Sequence, residues 1–326
     1  MRVQIEELKT LIQKKLSVKF NPDEVERITG AILFAEIAGK KTHGLLRLLP
    51  NRFGPLDEKK EAELVVQRIS DFSSKITGLG YPGMLLSSLA VDQVLGLARD
   101  KGLGIVSYIG NRSTSGCLSY YVKQVAEEGF LCFMMSNCAP LVAPKGITKR
   151  VLGTNPFAVA IPSADKKDPL IVDFGTSSIS FGELAVLFEK KLKLPKGSGL
   201  DTLGDETDEP LSVMKGGALL PFGGHKGFGI SLAIELLCGP LIGASFSGLH
   251  ESRAWGNIIV AVNPSVLGGN LSDCEELYSN IMLSQKEGAG FRFPGTQTQK
   301  KYKEVLASAE VEVVDEIYKQ ILDSGA

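Results

Sequence analysis

Apolar residues recur at helical spacing near the start of the chain. Residues 6–16 carry one such stripe, and Val25, Ile28 and Ile32 carry the next. Asn21-Pro22-Asp23-Glu24 opens the second helix, with Asn as cap, Pro at the first helical position and Glu at the third; the helix ends near Gly39. Residues 45–49 read as a short turn before Pro50. From Leu103 the pattern changes to short apolar runs at residues 103–109, 130–135, 157–161, 170–172 and 257–262. Their length and Val, Ile and Phe content predict buried strands. Helical patterns at 84–98 and 118–126 lie among them, and 313–322 makes a closing helix, so a mixed α/β architecture follows. Residues 190–210, rich in Lys, Gly, Asp, Thr and Pro, are either a long surface loop or a linker.

Composition narrows the class. With 326 residues, 44% hydrophobic and 22% charged, the chain has ample core and is expected to form more than one domain. A formal net charge of -1 gives no basic surface for nucleic acid. The five cysteines form no C-x-x-C pair, which argues against a disulfide framework or zinc ribbon and suits a reducing cytosol. No signal-like apolar core follows Met1, and no later apolar run is read as long enough to cross a bilayer. A cytoplasmic protein with no membrane partner is expected.

The stretch from Leu220 to Gly229 carries the strongest chemical signal. Its glycines allow close backbone approach, Lys226 sits among them, and an apolar helical segment follows. Such a loop is either a phosphate cradle at a helix start or a turn with a solvated lysine. It is not a P-loop, because Gly227 rather than Ser or Thr follows Lys226. Gly78-Leu79-Gly80-Tyr81-Pro82-Gly83 matches the dinucleotide fingerprint letter for letter. The preceding residues 70–77 read as too polar for a buried parallel strand, so a plain loop leading into a helix is expected.

Only three histidines are present. His43 precedes Gly44, and Arg47 lies four residues on, a spacing that on a helix sets both on one face. There an imidazole could move a proton beside a guanidinium holding a carboxylate. Alternatively, His43 only faces a helix C-terminus. His225 belongs to the glycine loop, and His250 is assigned to solvent. Asp173 ends an apolar run; it could orient a histidine, bind a ribose, or serve as a turn carboxylate. No His and carboxylate spacing suits a metal, and no G-x-S-x-G elbow occurs.

In order along the chain stand Thr42-His43-Gly44 with Arg47, residues 102–106, Asn111 with Gly116 and Tyr120-Tyr121, Ser136-Asn137, and Ala143-Pro144. Gly153-Thr154-Asn155-Pro156, Asp173 with Thr176-Ser177, the glycine loop, and residues 292–295 complete the series. This series resembles the malate/L-lactate dehydrogenase-like family, which includes sulfolactate and ureidoglycolate dehydrogenases and piperideine-2-carboxylate reductases. The resemblance implies a homodimer and a mixed-sheet NAD(P)-binding domain of non-Rossmann type at 122–261. It further implies a discontinuous substrate-side α/β domain (48–121 with 262–299) and a small helical unit (1–47 with 300–326). It assigns His43 as the acid/base group and Arg47 to the substrate carboxylate, and Asp173 is expected to join them as a catalytic residue that orients the histidine. Thr114, Asn137 and Lys145 fall on the substrate side. Asp173, Thr176, Ser177, His225, Lys226, Gly227, Pro294 and Gly295 fall at the cofactor, NAD or NADP.

The chain departs from the family pattern at four places. Thr114 replaces the second His of an Asn-x-x-His stretch, Asn51 replaces a Tyr, Lys145 replaces a Trp, and Glu183 replaces a basic residue. The expected function is reduction of a small 2-oxo acid or cyclic imino acid, reversible as a 2-hydroxy acid dehydrogenase. The alternative is a catalytically weakened paralogue serving as a nucleotide-binding or regulatory dimer. Lys145, Arg112 and Arg150 are the open partners for a phosphate.

Overall fold

The computed structural model describes residues 1–165, 168–247, 254–284, 291 and 293–324. Strand β1 (Arg2–Gln4) leads into helices α1 (Ile5–Leu16) and α2 (Pro22–Ile37). At the entry of α2 the Asn21 side chain accepts from the Glu24 amide and Glu24 accepts from the Asn21 amide, the reciprocal cap its sequence predicts. Two 3-10 turns follow, Lys41–His43 and Leu45–Leu48, separated by Gly44.

The main body is built from β2 (Val65–Ser70), β3 (Ser73–Thr77), α3 (Gly83–Lys101), β4 (Leu103–Asn111), α4 (Leu118–Glu127), β5 (Leu131–Ser136), β6 (Phe157–Ile161) and β7 (Leu170–Phe174). A side lobe carries α5 (Phe181–Glu189), β8 (Gly199–Leu200), β9 (Glu206–Thr207), α6 (Pro210–Met214) and β10 (Ala218–Leu219). The chain returns through α7 (His225–Cys238) and β11 (Trp255–Val262), then α8 (Leu271–Leu283), α9 (Thr296–Ser308), β12 (Glu310–Glu312) and α10 (Asp315–Asp323).

A seven-stranded mixed sheet in the order β2-β3-β4-β11-β5-β6-β7 forms the centre. Only β3 and β4 pair in parallel; β11 lies antiparallel between β4 and β5. Alternate residues of the strands, such as Val106 and Tyr108 of β4, Cys132 and Met134 of β5, and Ile259 and Ala261 of β11, are buried with α3 and α4 in one hydrophobic cluster. That cluster continues through Leu8, Ile12, Ile28 and Ile32 into the helices near the N-terminus. The two ends of the chain are tied by β1 pairing with β12. The side lobe has its own small cluster, including Val142, Leu152, Leu184, Val213 and Leu219.

Three expectations need correction. Residues 190–210 are not a structureless linker, because β8 and β9 arise there and join β10 in a three-stranded sheet. Residues 73–77 do form a strand parallel to β4, so the Gly78 match stands between a strand and α3 after all. The strand tolerates its polar residues because it lies next to the sheet edge, burying only Ser74 and Ile76. What excludes a phosphate there is packing. A Cβ at Gly80 would sit 1.8 Å from the Lys59 carbonyl oxygen, and one at Gly83 would sit 2.8 Å from that of Thr114.

Third, residues His225–Ile242 reach a mean hydropathy of 1.2 over 18 residues, long and apolar enough by composition to cross a membrane. The α-helix within them spans only 14 residues, about 21 Å at 1.5 Å per residue, against a hydrocarbon core of about 30 Å. Gly239 and Pro240 then break it.

Candidate active site

A cleft of about 570 Å³ opens where three strand ends meet, a size ordinary for a small-molecule site. Asn111 ends β4, Ser136 ends β5, and Trp255 starts the antiparallel β11, so all three reach the same edge of the sheet. The 3-10 turns supply His43 and Arg47, and the side lobe closes over with Leu141, Arg150 and Phe181. Arg47, Arg112 and Arg150 line the cleft, whereas no Asp or Glu does among the described residues.

His43 and Arg47 do meet at this cleft, though on two 3-10 turns rather than one α-helix. The kink between them is set by Gly44. A Cβ there would stand 2.0 Å from Oε2 of Glu36, a buried carboxylate of α2 that accepts from the Leu45 amide at 2.9 Å and from Lys41 Nζ at 2.7 Å. On the other side, Nδ1 of His43 lies 3.0 Å from the Thr42 hydroxyl. The Thr42 methyl in turn packs where a side chain at Gly182, in the first turn of α5, would collide with it.

Burial, then repulsion from Arg47, pulls the His43 imidazole down to about 4, and Lys40 adds to the fall while Asp173 opposes it. The ring is neutral at pH 7. Arg47 is itself lowered to about 10 by burial and by Arg52, against the attraction of Asp57, so it stays charged. Its side chain donates to the Arg52 carbonyl, yet its buried Nε has no hydrogen-bond partner among the described residues. A half-buried guanidinium with a buried, orphaned donor and no carboxylate in ion-pair contact among the described residues is a built-in demand for an anion.

Asp173 lies inside β7 rather than at its end, and its Oδ2 is heavily committed. Lys40 Nζ donates to it at 2.8 Å, the Ser119 amide at the start of α4 at 3.2 Å, and the Cys117 thiol at 3.5 Å. Burial works against the charged carboxylate, but Lys40 and the Ser119 amide outweigh it and hold its pKa below the usual range. The same burial, with the nearby carboxylate, pushes the Cys117 thiol up to about 12, which leaves it an inert thiol. Asp173 and Gly295 border a second, small cavity of about 90 Å³ together with Lys40.

The remaining expected residues fall into two groups. Thr114 lines the main cleft, its hydroxyl accepting from the Gly116 amide and its own amide donating to the Phe53 carbonyl. Asn137 also borders the cleft, but its amide group is spent on the scaffold, donating to the Ser245 carbonyl and accepting from the Gly256 amide. Thr176 is buried with its hydroxyl on the carbonyls of Thr154 and Asn155, and the Ser177 hydroxyl donates to the Ile179 carbonyl. Lys145 points away into a surface ion pair with Glu206 at 3.0 Å.

The glycine loop is shorter than its letters suggest, because α7 already begins at His225. Gly223 and Gly224 take left-handed φ values of 56° and 63°, with no heavy atom within 4 Å of either missing Cβ. His225 and Lys226 are exposed beside them. Gly227, in contrast, is buried, and a Cβ there would lie 2.0 Å from the Phe222 carbonyl oxygen, so it serves helix packing. Gly295 caps α9 against the Ile171 carbonyl of β7, and Pro294 is exposed beside it. His250 and Arg292 lie outside the described residues.

Two of the departures find local causes. Asn51 has φ 58°, a region that Asn enters more readily than Tyr, and its amide donates to Asp57 at 2.9 Å. Glu183 is exposed in the first turn of α5, where an acid suits the helix dipole. Sequence reasoning missed Lys40, Phe181 and Trp255. Lys40 and Lys41 look alike as letters, and only the fold sends one to Asp173 and the other to Glu36. Trp255, the single tryptophan, begins a strand whose unbroken apolar residues start only three residues later, at Ile258.

The pattern of the malate/L-lactate dehydrogenase family matches residues 3–322. The L-sulfolactate dehydrogenase of Methanothermobacter thermautotrophicus is 30% identical over 277 residues, 81% of this chain and 80% of its own. A Δ1-pyrroline-2-carboxylate/Δ1-piperideine-2-carboxylate reductase of Pseudomonas putida is 31% identical over 82% of each chain. The crystal structure of Δ1-piperideine-2-carboxylate reductase from Pseudomonas syringae has the same fold over the full length of both chains, with a TM-score of 0.86 at 25% identity. By sequence and by fold, this chain belongs to the malate/L-lactate dehydrogenase family of oxidoreductases.

Proposed function

We propose that the protein is an NAD(P)H-dependent reductase of a small 2-oxo acid or cyclic imino acid, reversible as a 2-hydroxy acid dehydrogenase. The observation that carries this reading is Arg47, a half-buried arginine whose buried Nε is orphaned, beside a histidine in a cleft with no acid among its described lining residues. Relatives named for sulfolactate and for cyclic imino acids all act on small carboxylates, which agrees with an anion at that position.

The residues present fit a nicotinamide dinucleotide. Open space lies beside Gly223 and Gly224, and α7 starts there with His225 and Lys226 exposed; a helix start with a lysine in its first turn is a donor set suited to a phosphate. Pro294, Gly295, Thr176 and Ser177 shape the backbone on the Asp173 side. When bound, the nicotinamide supplies or accepts the hydride.

Arg47 holds the substrate carboxylate and so fixes the carbon to be reduced. His43 moves the proton. In the free protein it is neutral and ready to act as a base toward a hydroxy acid. For reduction it must first gain a proton, and the substrate favours this. A carboxylate on Arg47 cancels the repulsion that lowers the imidazole and adds an attraction of its own. Proton uptake is thereby tied to substrate binding. Asp173, held ionised by Lys40, supports the imidazolium from the other side.

We also propose a homodimer. Helix α8 buries none of its 13 residues in this chain, and Leu277 and Leu283 on it are 62% and 83% exposed. Ile230 and Leu236 on α7, and Leu241 in the 3-10 turn that follows it, are exposed as well. A helix that leaves apolar side chains this exposed, touching the rest of the chain mainly through Tyr278 on Phe293 and Glu275 on the Ala164 amide, is explained by a second copy. The five free thiols suit a reducing compartment such as the cytoplasm. The three-unit division drawn from the resemblance belongs to the same proposal: the terminal helices, the β2–β4 side and the β5–β11 side would be its three parts.

Calorimetric titration with NADH and NADPH separately, followed by turnover of 2-oxo acids and cyclic imines, tests the reading. Micromolar binding with turnover is expected. Binding without turnover would favour the weakened paralogue, to which Thr114 at the second-histidine position points; no binding of either would remove the reductase.

A further inference from the structure

The cleft holds a second cation whose charge no carboxylate answers. Of the three cations left open by the sequence, Lys145 is engaged with Glu206 outside the cleft, and Arg112 is exposed in an ion pair with Glu61. Arg150 differs from both. It lines the cleft from the side lobe, and no Asp or Glu among the described residues lies within ion-pair distance of it.

Its guanidinium is held rigidly by one edge. Nε donates to the Gly217 carbonyl and Nη2 to the Val213 carbonyl, each at 2.7 Å. These bonds cap the carbonyl end of α6, which is a sufficient role for an ordinary arginine. They leave Nη1 without an acceptor among the described residues, on a half-buried side chain that borders the cleft. A preorganised guanidinium with a spare edge loses little freedom when it takes an oxyanion.

We propose that Arg150 is a second anion-binding residue of the cleft, holding an anionic group on the bound ligands separate from the carboxylate at Arg47. This deepens the reading above and rests on it. That group has one chemistry and two sources: a second acid function on the substrate, or the 2′-phosphate of the cofactor. In the first case the protein selects dianionic acids, and in the second it selects NADPH over NADH.

Trp255 is the only tryptophan and lines the same cleft, so its emission reports occupancy without any need for turnover. The wild-type protein is titrated at constant ionic strength with malonate against acetate, succinate against propionate, and NADPH against NADH. A preference of about tenfold or more within the acid pairs or within the nucleotide pair is expected, as for a charge-assisted hydrogen bond. In Arg150→Met that preference falls to near unity, while the monoanion and NADH bind as before. Selective loss for the diacids identifies the substrate as the source, and selective loss for NADPH identifies the phosphate.

Equal affinity within every pair in the wild type overturns the proposal, whether or not the variant folds. A preference that survives intact in Arg150→Met overturns it too. Should thermal melting show that variant to be damaged, Arg150→Lys keeps the charge and is expected to retain part of the preference; its total loss with an intact fold would count for bidentate recognition. Failure of the broader reading looks different: none of the acids or nucleotides would bind, whereas binding without discrimination removes Arg150 alone.

Discussion

The two flanks of His43 carry opposite charges and are treated in opposite ways. On one side, Arg47 keeps a buried donor without a hydrogen-bond partner among the described residues and feels the attraction of Asp57 without an ion-pair contact to it. On the other, a single oxygen of Asp173 takes Lys40, a backbone amide and a thiol. A satisfied charge belongs to the scaffold, while an unsatisfied one is a place for a ligand. Among the charges that act on it, the histidine between them is therefore tuned most by the side that changes on binding.

The sharpest way to break this picture is to remove the group in the middle. His43→Ala is expected to lower turnover by about 100- to 10,000-fold, the usual weight of general acid–base catalysis, with cofactor affinity little changed. Unchanged turnover in steady-state assays would take His43 out of the mechanism. Next in size is the open flank. Arg47→Met should reduce kcat/KM for carboxylate substrates by about 100-fold, mostly through KM, whereas the corresponding amides should be affected far less.

The closed flank sharpens the comparison more gently. Lys40→Met removes a repulsion from His43 and frees the Asp173 charge, and both changes raise the imidazole. The acid limb of the pH profile for hydroxy-acid oxidation, which needs neutral imidazole, should move to higher pH. Turnover at neutral pH should change by less than about tenfold, since the lysine does not border the main cleft. An unmoved limb would make Lys40 a purely structural residue.

Stability carries the same signature. With His43 held at about 4 in the folded protein, against about 6.5 unfolded, the unfolded chain binds more protons between those values. The contribution of His43 is then complete above pH 6.5 or so and is lost as the pH falls toward 4. Thermal melts of wild type and His43→Ala at pH 7 and pH 4.5 should show the wild type losing more on acidification. The smallest change is at the kink: Gly44→Ala forces a methyl against Glu36 and is expected to cost about 1–3 kcal/mol by denaturant unfolding.

Much of the molecule is legible before folding is considered. The α2 cap, the buried strands and α3 follow from local patterns, since each buries alternate or helix-spaced residues on one face. β2 and β3 were hidden because neither shows an apolar period: β2 at the sheet edge leaves Val65, Val66 and Ile69 exposed out of alternation, and β3 is mostly polar. The two glycine-rich stretches differ in a way that letters cannot record. At Gly80 and Gly83 the space beside each Cα is filled by backbone from distant segments, whereas at Gly223 and Gly224 it is open. His43 and Arg47 stand close in sequence and both line the cleft, although the two 3-10 turns that carry them are not the α-helix their spacing assumes. Lys40, Arg150 and Trp255 were harder, because their partners lie far away in sequence and only the sheet and the side lobe bring them to one place.

The position of β11 also has a consequence for how the chain comes into being. This strand is the middle of the sheet, pairing with β4 and β5 along nearly its whole length, yet it begins at Trp255. During synthesis, β4 and β5 must therefore wait with unpaired edges while more than a hundred residues emerge, a period of some seconds or more at ribosomal rates. Such long-range closure slows folding and leaves edges open to wrong partners. The same insertion finishes the cleft, because Trp255 arrives with it. A nascent chain has no complete binding site until its sheet is closed.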